Sequence, residues 1–142
     1  EFEYAYPSNA VKIGWVDNSE IDRYMKACDA VIVPSRWEGF GIVAIEALRN
    51  KKPVIASNRG ALPEIIQHGV NGYIFDFDNK VELVNIIQGL SKEKLERMGE
   101  IGEKIFYEKF HSDKMNQQIV RLYEDALKQQ GGRYSITVKK YV

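Results

Sequence analysis

The chain has 142 residues, of which 20 are basic and 20 acidic, so its formal net charge at pH 7 is zero. Its length predicts one domain or a piece of one, and its 44% hydrophobic content is typical of a chain with a packed core. Zero net charge removes the overall electrostatic case for nucleic-acid binding, and a single cysteine and two histidines exclude an internal disulfide and a multi-thiolate metal site.

The first predicted elements are a strand, a helix and a second strand. Apolar residues alternate with others over residues 11–16, which predicts a strand. Asn18 or Ser19 is then expected to cap a helix. The apolar face of this helix would carry Ile21, Tyr24, Met25 and Cys28. The continuous apolar run at 30–33, closed by Pro34, predicts a strand buried on both faces.

The alternation of helices and strands continues to residue 75. Residues 42–48 predict a largely buried helix, residues 53–56 a short strand, and residues 62–66 a short helix. A turn and a further strand are expected over residues 71–75. Strands that alternate with helices at these intervals predict an α/β fold, an open parallel sheet with helices on both faces.

Three helices are predicted after Asn79. The first has an apolar stripe within residues 81–90, the second begins at Ser91 and includes Phe106, and the third is capped by Ser112. The helices therefore follow the alternating part of the chain.

The two ends of the chain have a different pattern, which is typical of strands. Residues 1–10 are expected to form a strand-like extension, and residues 131–142 a strand-like tail that begins at a Gly-Gly hinge. Each would be an added edge strand, and the alternative for the tail is a linker followed by an appended segment. The central domain is therefore predicted to span residues 11–130.

A binding site is expected in the loop after the strand at 30–33, because ligands of open α/β sheets bind beyond the carboxyl ends of the strands. In this loop Gly39 and Gly41 flank Phe40 just before a predicted helix start. Glycine allows backbone N–H groups to approach a ligand closely, and a helix N-terminus supplies unpaired N–H donors. Together these features suit a diphosphate.

Two glutamates give the site its further chemistry. Glu46 lies in an otherwise apolar helix, so its carboxylate needs a hydrogen-bonding partner, and two vicinal ribose hydroxyls would provide one. Glu38, at the mouth of the loop, could accept hydroxyls of the group beyond the phosphates. The pattern favours a nucleotide sugar. The alternative is that both glutamates have structural roles only. Glu46 would then be salt-bridged or extend to solvent, and Glu38 would be a favourable charge at a helix N-terminus.

The same residues carry a family resemblance. Residues 34–41 read PSRWEGFG, and seven residues separate Glu38 from Glu46. This block resembles the P-S-x-x-E-G-F-G sequence and the E-x7-E motif of the retaining glycosyltransferases with the GT-B fold. Residues 53–72 are similar to that family's P-V-I-A…G-x-x-E-I…G-x-x-G segment, and residues 11–16 to its strand with a G-aromatic-V end. The resemblance covers about residues 11–128.

The resemblance implies a fold and a reaction. The fold is the Rossmann-like C-terminal half of a GT-B enzyme, which binds a nucleoside-diphosphate sugar and transfers the sugar with retention of configuration. The donor would be a UDP-, GDP- or ADP-sugar, and no metal or other cofactor is expected.

The resemblance also implies residue roles. Glu38 would be the catalytic residue that binds hydroxyls of the transferred sugar, and Glu46 would bind the ribose hydroxyls. Val16 would place its backbone against the base. The backbone amides expected to contact the sugar and diphosphate are those of Gly39, Phe40, Gly41, Ile42 and Val43.

Some parts of the family pattern have no match. Nothing in residues 1–10 matches the family's upstream strand and helix or its basic pair, and Lys12, Arg36 and Arg59 do not occupy the basic position. The chain is therefore expected to be part of a donor-binding half, inactive alone, with the acceptor glycan or lipid bound mainly by a missing N-terminal domain. A non-catalytic module that binds a nucleotide sugar or a protein is the alternative. A dehydrogenase is disfavoured, because no G-x-G-x-x-G follows an early strand.

The sequence also predicts a location. No run approaches the ~20 apolar residues of a membrane span, and the acidic start does not resemble a signal peptide. A cytoplasmic protein is expected, with peripheral association of the full-length enzyme at the inner membrane face as a second location. Cys28 is expected to be inert and buried, and His68 and His111 to be surface or capping residues.

Overall fold

The computed structural model describes residues 6–129 and shows three parallel strands separated by helices. The elements in chain order are α1 (Asn18–Ala27), β1 (Val31–Val33), α2 (Ile42–Arg49), β2 (Val54–Ser57), α3 (Leu62–Ile65), β3 (Gly72–Phe75), α4 (Lys80–Gln88), α5 (Lys92–Ile105), a π-helix (Phe106–Phe110) and α6 (Ser112–Gln129). The predicted α/β class and the parallel sheet are confirmed. The tail at 131–142, the Gly-Gly hinge and most of the extension at 1–10 lie outside the described residues.

The sheet has the order β1-β2-β3, with Val31 opposite Val54 and Val54 opposite Gly72. All four residues of β2 are buried, so both faces of the central strand are covered. Val33, Val54 and Ala56 belong to one core cluster. Buried residues of α2 and α3 and the residue that follows α3 complete this cluster: Ala44, Ala47, Leu48, Leu62, Ile65 and Ile66. The helices that follow β1 and β2 are therefore fixed against the sheet by apolar packing.

Two strand predictions are wrong. Residues 11–16 form no strand, and Trp15 is fully exposed. A strand needs a neighbour to accept and donate its backbone hydrogen bonds, and within residues 6–129 no segment pairs with this one. The prediction that β1 is buried on both faces also fails, because Ile32 is 45% exposed. Within the described part of the sheet β1 is an edge strand, and only the face that carries Val33 is covered.

The helix starts differ from the predictions by one residue. Asp17, rather than Asn18 or Ser19, caps α1, because its Oδ1 accepts the Ser19 backbone N–H at 2.9 Å. His111, rather than Ser112, precedes α6 and accepts the Asp113 N–H at 3.3 Å through Nδ1. The expected capping role of His111 is thereby confirmed.

The remaining terminal and helical predictions are mixed. Residues 6–10, the described part of the extension, contain a turn in which the Ala10 N–H donates to the Pro7 carbonyl at 2.9 Å. The second helix ends at Ile105, and Phe106 begins the π-helix instead. The Ser91 start is confirmed, because its hydroxyl accepts the Lys94 N–H at 3.3 Å.

Candidate functional site

The loops that follow the three strands meet at the carboxyl edge of the sheet. They are loop 34–41 after β1, loop 58–61 after β2 and loop 76–79 after β3. Because the strands are parallel, all three loops leave the same edge, where α/β proteins bind ligands. Loop 34–41 contains four of the eight residues that the sequence predicts for the site, Glu38 to Gly41, and α2 contains three more.

Loop 34–41 is held by hydrogen bonds to β2 and the loop after it. The buried Ser57 hydroxyl donates to the Ser35 carbonyl at 2.7 Å, and the Ala61 N–H donates to the Glu38 carbonyl at 3.1 Å. Gly60 has a φ of 57° and lies against the Glu38 backbone. The backbone around Glu38 is therefore fixed by the neighbouring loop and not by its own sequence alone.

The Glu38 side chain closes the turn that leads into α2. It is partly buried, and its Oε1 accepts the Gly41 N–H at 3.1 Å while Oε2 accepts the Ser35 hydroxyl at 3.4 Å. A carboxylate has about four acceptor positions, so this one retains capacity for further donors. Glu38 therefore closes the turn before α2 and can still accept further hydrogen bonds.

The N-terminus of α2 offers unpaired donors. Gly41 is the N-cap residue and no side chain caps the helix. The first intrahelical bond runs from the Ile45 N–H to the Gly41 carbonyl at 3.1 Å, so the N–H groups of residues 42–44 have no acceptor within the helix. The first turn contains no acidic residue. The helix dipole and these donors therefore favour an anion at this position.

Apolar side chains surround these donors and remain accessible. Phe40 is 64% exposed, Ile42 61% and Val43 45%. The indole of Trp37 lies against Gly39 and is itself 82% exposed. The predicted amides at 39–43 are thus brought together at one end of α2, where the Gly41 N–H already donates to Glu38 Oε1.

Glu46 lies on the same helix, about 6 Å along the axis from its first residue. It is half-buried and lines a cavity of about 580 Å³ together with Phe40, Arg49 and Phe106. Among residues 6–129 its carboxylate has no hydrogen-bond or ion-pair partner, and Arg49 pairs with Asp22 instead. The structure therefore leaves Glu46 available to hydroxyl donors from a ligand.

Val16 is the predicted site residue that the structure places least firmly in a site. It lies in the irregular segment before α1 and not at the end of a strand. Its proposed contact with a base therefore has no strand to position it among residues 6–129.

Sequence reasoning misses one functional candidate, Phe77, and leaves two others, Arg36 and Arg59, without a role. Phe77, in loop 76–79, lies beneath the guanidinium groups of Arg36 and Arg59, whose Cζ atoms are 5.7 and 5.8 Å from the ring centroid. All three residues follow strand ends, so the same rule that selected loop 34–41 could have found them.

Other candidate chemistry is sparse in the described part of the chain. Residues 6–129 contain no group of three or more His, Cys, Asp or Glu residues placed to hold a metal. None of the helices in this range combines the length and apolar character needed to cross a bilayer.

The half-buried Cys28 thiol donates to the Met25 carbonyl at 3.1 Å, and burial raises the pKa of this thiol. His68 is exposed and hydrogen-bonds the Ile74 backbone, as expected of a surface residue.

The fold and site define the class of Rossmann-like α/β proteins, in which a parallel sheet presents loops and helix N-termini to a ligand. The family is given by comparison. The model of the family "Glycosyl transferases group 1" matches residues 3–105, so the chain belongs to this family. The predicted glycosyltransferase family is thereby confirmed.

Individual relatives agree with the family. An uncharacterized glycosyltransferase of Methanocaldococcus jannaschii is 37% identical over 108 residues, which cover 75% of this chain and 30% of the relative. Among solved structures, sucrose-phosphate synthase from Thermosynechococcus elongatus matches with a TM-score of 0.76 and 28% identity, over 82% of this chain and 30% of that protein.

A third match contains ligands. The structure of Anabaena HepE in complex with UDP and glucose has a TM-score of 0.73 and 32% identity to this chain, and the match covers 83% of this chain and 33% of HepE. The chain thus spans about a third of the length of the relatives it matches. These structural neighbours are GT-B glycosyltransferases, so the described residues have part of that fold.

Proposed function

We propose that this chain forms the donor-binding part of a retaining glycosyltransferase, which transfers a sugar from a nucleoside-diphosphate sugar to a glycan or lipid acceptor. One observation carries the proposal: the unpaired N–H groups at the start of α2 lie between two glutamates that retain free acceptor capacity. Glu38 precedes these donors and Glu46 follows them one helical turn later.

The two kinds of group suit the two chemistries of such a donor. N–H groups and the positive end of a helix dipole stabilise a diphosphate. Carboxylates accept hydrogen bonds from hydroxyls, so Glu46 would bind the ribose and Glu38 the transferred sugar. The backbone amides of Gly39 to Val43 would contact the sugar and diphosphate, and Val16 the base.

The reaction would proceed at the anomeric carbon of the bound sugar. Its bond to the diphosphate oxygen breaks, a bond to the acceptor oxygen forms on the same face, and the acceptor proton passes to the departing diphosphate. The α2 amides stabilise the charge that develops on that leaving group. Glu38 would hold the sugar in place, and the acceptor would be bound mainly by parts of the whole enzyme outside this chain.

The similarity to HepE guides the choice of donor. HepE has been solved in complex with UDP and glucose, so UDP-glucose is the first donor to test on this chain. The proposed location of the whole enzyme is the cytoplasm, and peripheral association at the inner membrane face is the second proposed location.

Calorimetric titration with UDP-, GDP- and ADP-glucose tests the donor site. The chain should bind at least one of them, and Glu46→Ala should weaken that binding about 10-fold or more, because hydrogen bonds to a charged acceptor contribute about 1.5–3 kcal/mol. Glu96→Ala, on the exposed surface of α5, is the matched control and should bind like the wild type.

Each other outcome has a distinct meaning. If the wild-type chain binds none of the three sugars, the donor-site proposal is wrong. Unchanged affinity in Glu46→Ala removes the ribose role from that residue. Donor binding without sugar transfer by the full-length enzyme would instead favour a non-catalytic binding module.

A further inference from the structure

Phe77 supports two guanidinium groups at the carboxyl edge of the sheet. The Cζ of Arg36 lies over its ring at 5.7 Å from the centroid, and the Cζ of Arg59 at 5.8 Å. The backbone that carries this ring is held in place, because the Phe77 N–H donates to Asn58 Oδ1 at 3.2 Å and Asn58 Nδ2 donates to Asp76 Oδ1 at 3.2 Å. Phe77, the platform for the two arginines, therefore lies where the loops after β2 and β3 are joined by hydrogen bonds.

The two arginines differ in what their N–H groups bind. A cation–π contact engages the positive charge of a guanidinium and does not use up its N–H donors, which can also bind a carboxylate or phosphate. Arg59 uses them in this way, since it forms an ion pair with Asp78. Arg36 forms no ion pair and donates no side-chain hydrogen bond within residues 6–129. Arg59 thus shows that an arginine in contact with Phe77 can bind a carboxylate at the same time.

The acidic residue nearest to Arg36 in sequence forms no ion pair with it. Glu38 is two residues away, but its two oxygens accept from the Gly41 N–H and the Ser35 hydroxyl. Among residues 6–129 the Arg36 guanidinium therefore forms no ion pair, and Arg36 belongs to the same loop as Glu38, the residue proposed to hold the transferred sugar.

We propose that Arg36, positioned by Phe77, binds an anionic group of the donor through its in-plane N–H groups. The group is a phosphate or a carboxylate, which share the paired oxygens that a guanidinium recognises. Two sources fit this chemistry: the diphosphate, and a carboxylate on the transferred sugar, as in a uronic acid. The inference rests on the proposed donor site and assigns it an additional residue.

Calorimetry with four ligands separates the sources. Uridine, UDP, UDP-glucose and UDP-glucuronate are titrated into the wild-type chain and into Arg36→Gln. If Arg36 binds the diphosphate, Arg36→Gln weakens UDP and UDP-glucose about 10-fold and leaves uridine unchanged. If it binds a sugar carboxylate, only UDP-glucuronate loses about 10-fold. Each 10-fold loss of affinity corresponds to roughly 1.4 kcal/mol, the size expected for one charge-assisted interaction.

Further variants test the geometry. Arg36→Lys keeps the charge but lacks the planar fork, and should recover only part of the loss. Phe77→Leu should weaken the same ligand as Arg36→Gln, because it removes the platform and leaves the charge. Arg23→Gln removes an arginine on α1 whose side chain is 83% exposed, and should change nothing.

The outcomes distinguish this inference from the donor-site proposal. If the wild type binds none of the uridine ligands, nor GDP- or ADP-glucose, the donor site and the inference both fail. If the wild type binds and Arg36→Gln binds every ligand equally well, the inference alone is overturned. Equal losses in Arg36→Gln and Arg23→Gln would also overturn it, since they would reflect general electrostatics.

Discussion

Gly60 lies so close to Glu38 that no side chain fits between them. A Cβ at Gly60 would be 1.9 Å from the Glu38 carbonyl oxygen, and the Gly60 φ of 57° is in the left-handed region. The neighbouring Ala61 N–H donates to that same carbonyl at 3.1 Å. The loop after β2 thus fixes the backbone of the residue proposed to hold the transferred sugar.

Gly60→Ala should therefore displace loop 34–41. The clash and the positive φ should lower the free energy of unfolding by about 2–4 kcal/mol, and donor affinity should fall with it. Differential scanning calorimetry measures the first effect, at roughly 3 °C in Tm per kcal/mol. Gly69→Ala is the matched control, because Gly69 has a φ of 79° but nothing lies within 4 Å of its added Cβ. A Tm loss in Gly60→Ala no larger than in Gly69→Ala would contradict the close packing.

Much of the sheet and of the motif loop could be predicted from the sequence. The positions of β2 and α2 follow from short apolar runs bounded by proline, glycine and polar residues, and these local signals agree with the final packing. The loop 34–41 followed from its place at a strand end. The local sequence pattern was sufficient to predict an element wherever the tertiary contacts favour the same structure.

Other features depend on contacts that sequence alone does not show. Residues 11–16 alternate like a strand, but a strand also needs a pairing neighbour. Asp17 and Asn18 are both good capping residues, and only the backbone geometry selects the first. Arg36 and Phe77 are far apart in the chain, so their contact depends on the arrangement of the strands. The free guanidinium of Arg36 could not be recognised without that arrangement.

Ser57 should contribute to stability through a single buried hydrogen bond. Its side chain is fully buried and donates to the Ser35 carbonyl at 2.7 Å. Ser57→Ala leaves that carbonyl without its donor and should lower the free energy of unfolding by about 1–3 kcal/mol, as measured by urea denaturation. Ser19→Ala is a control for loss of an exposed hydroxyl, which donates to Asp17. An equal effect of both substitutions would show that burial adds nothing to the Ser57 bond.

Asp22 should make part of the stability dependent on acid pH. The hydrogen bond from Asn50 and the ion pair with Arg49 lower the pKa of Asp22 below its ordinary value of 3.8. A carboxyl whose folded pKa is depressed stabilises the fold above its unfolded pKa, and this stabilisation is lost as the pH falls through the folded pKa. The Asp22 contribution should therefore be complete well above pH 3.8, fall as the pH drops below that value, and disappear only below the lower folded pKa.

Thermal unfolding between pH 7 and pH 2.5 tests this dependence. The Tm difference between wild type and Asp22→Asn should be largest near neutral pH and shrink at the acid end. Arg49→Gln removes one of the two causes and should give an intermediate difference. A Tm difference that stays constant over the whole range would contradict a lowered pKa.

Glu38 has a structural contact and a proposed contact with sugar, and two substitutions separate them. Glu38→Gln keeps an Oε1 that can accept the Gly41 N–H, which the glutamate accepts at 3.1 Å, so its Tm should stay within about 2 °C of the wild type. Glu38→Ala removes that acceptor and should cost about 1 kcal/mol, like the loss of a helix cap. Both variants should bind UDP normally but UDP-glucose about 10-fold more weakly than the wild type, because only the sugar would contact the carboxylate. If Glu38→Gln bound UDP and UDP-glucose like the wild type, Glu38 would close the turn before α2 and do no more.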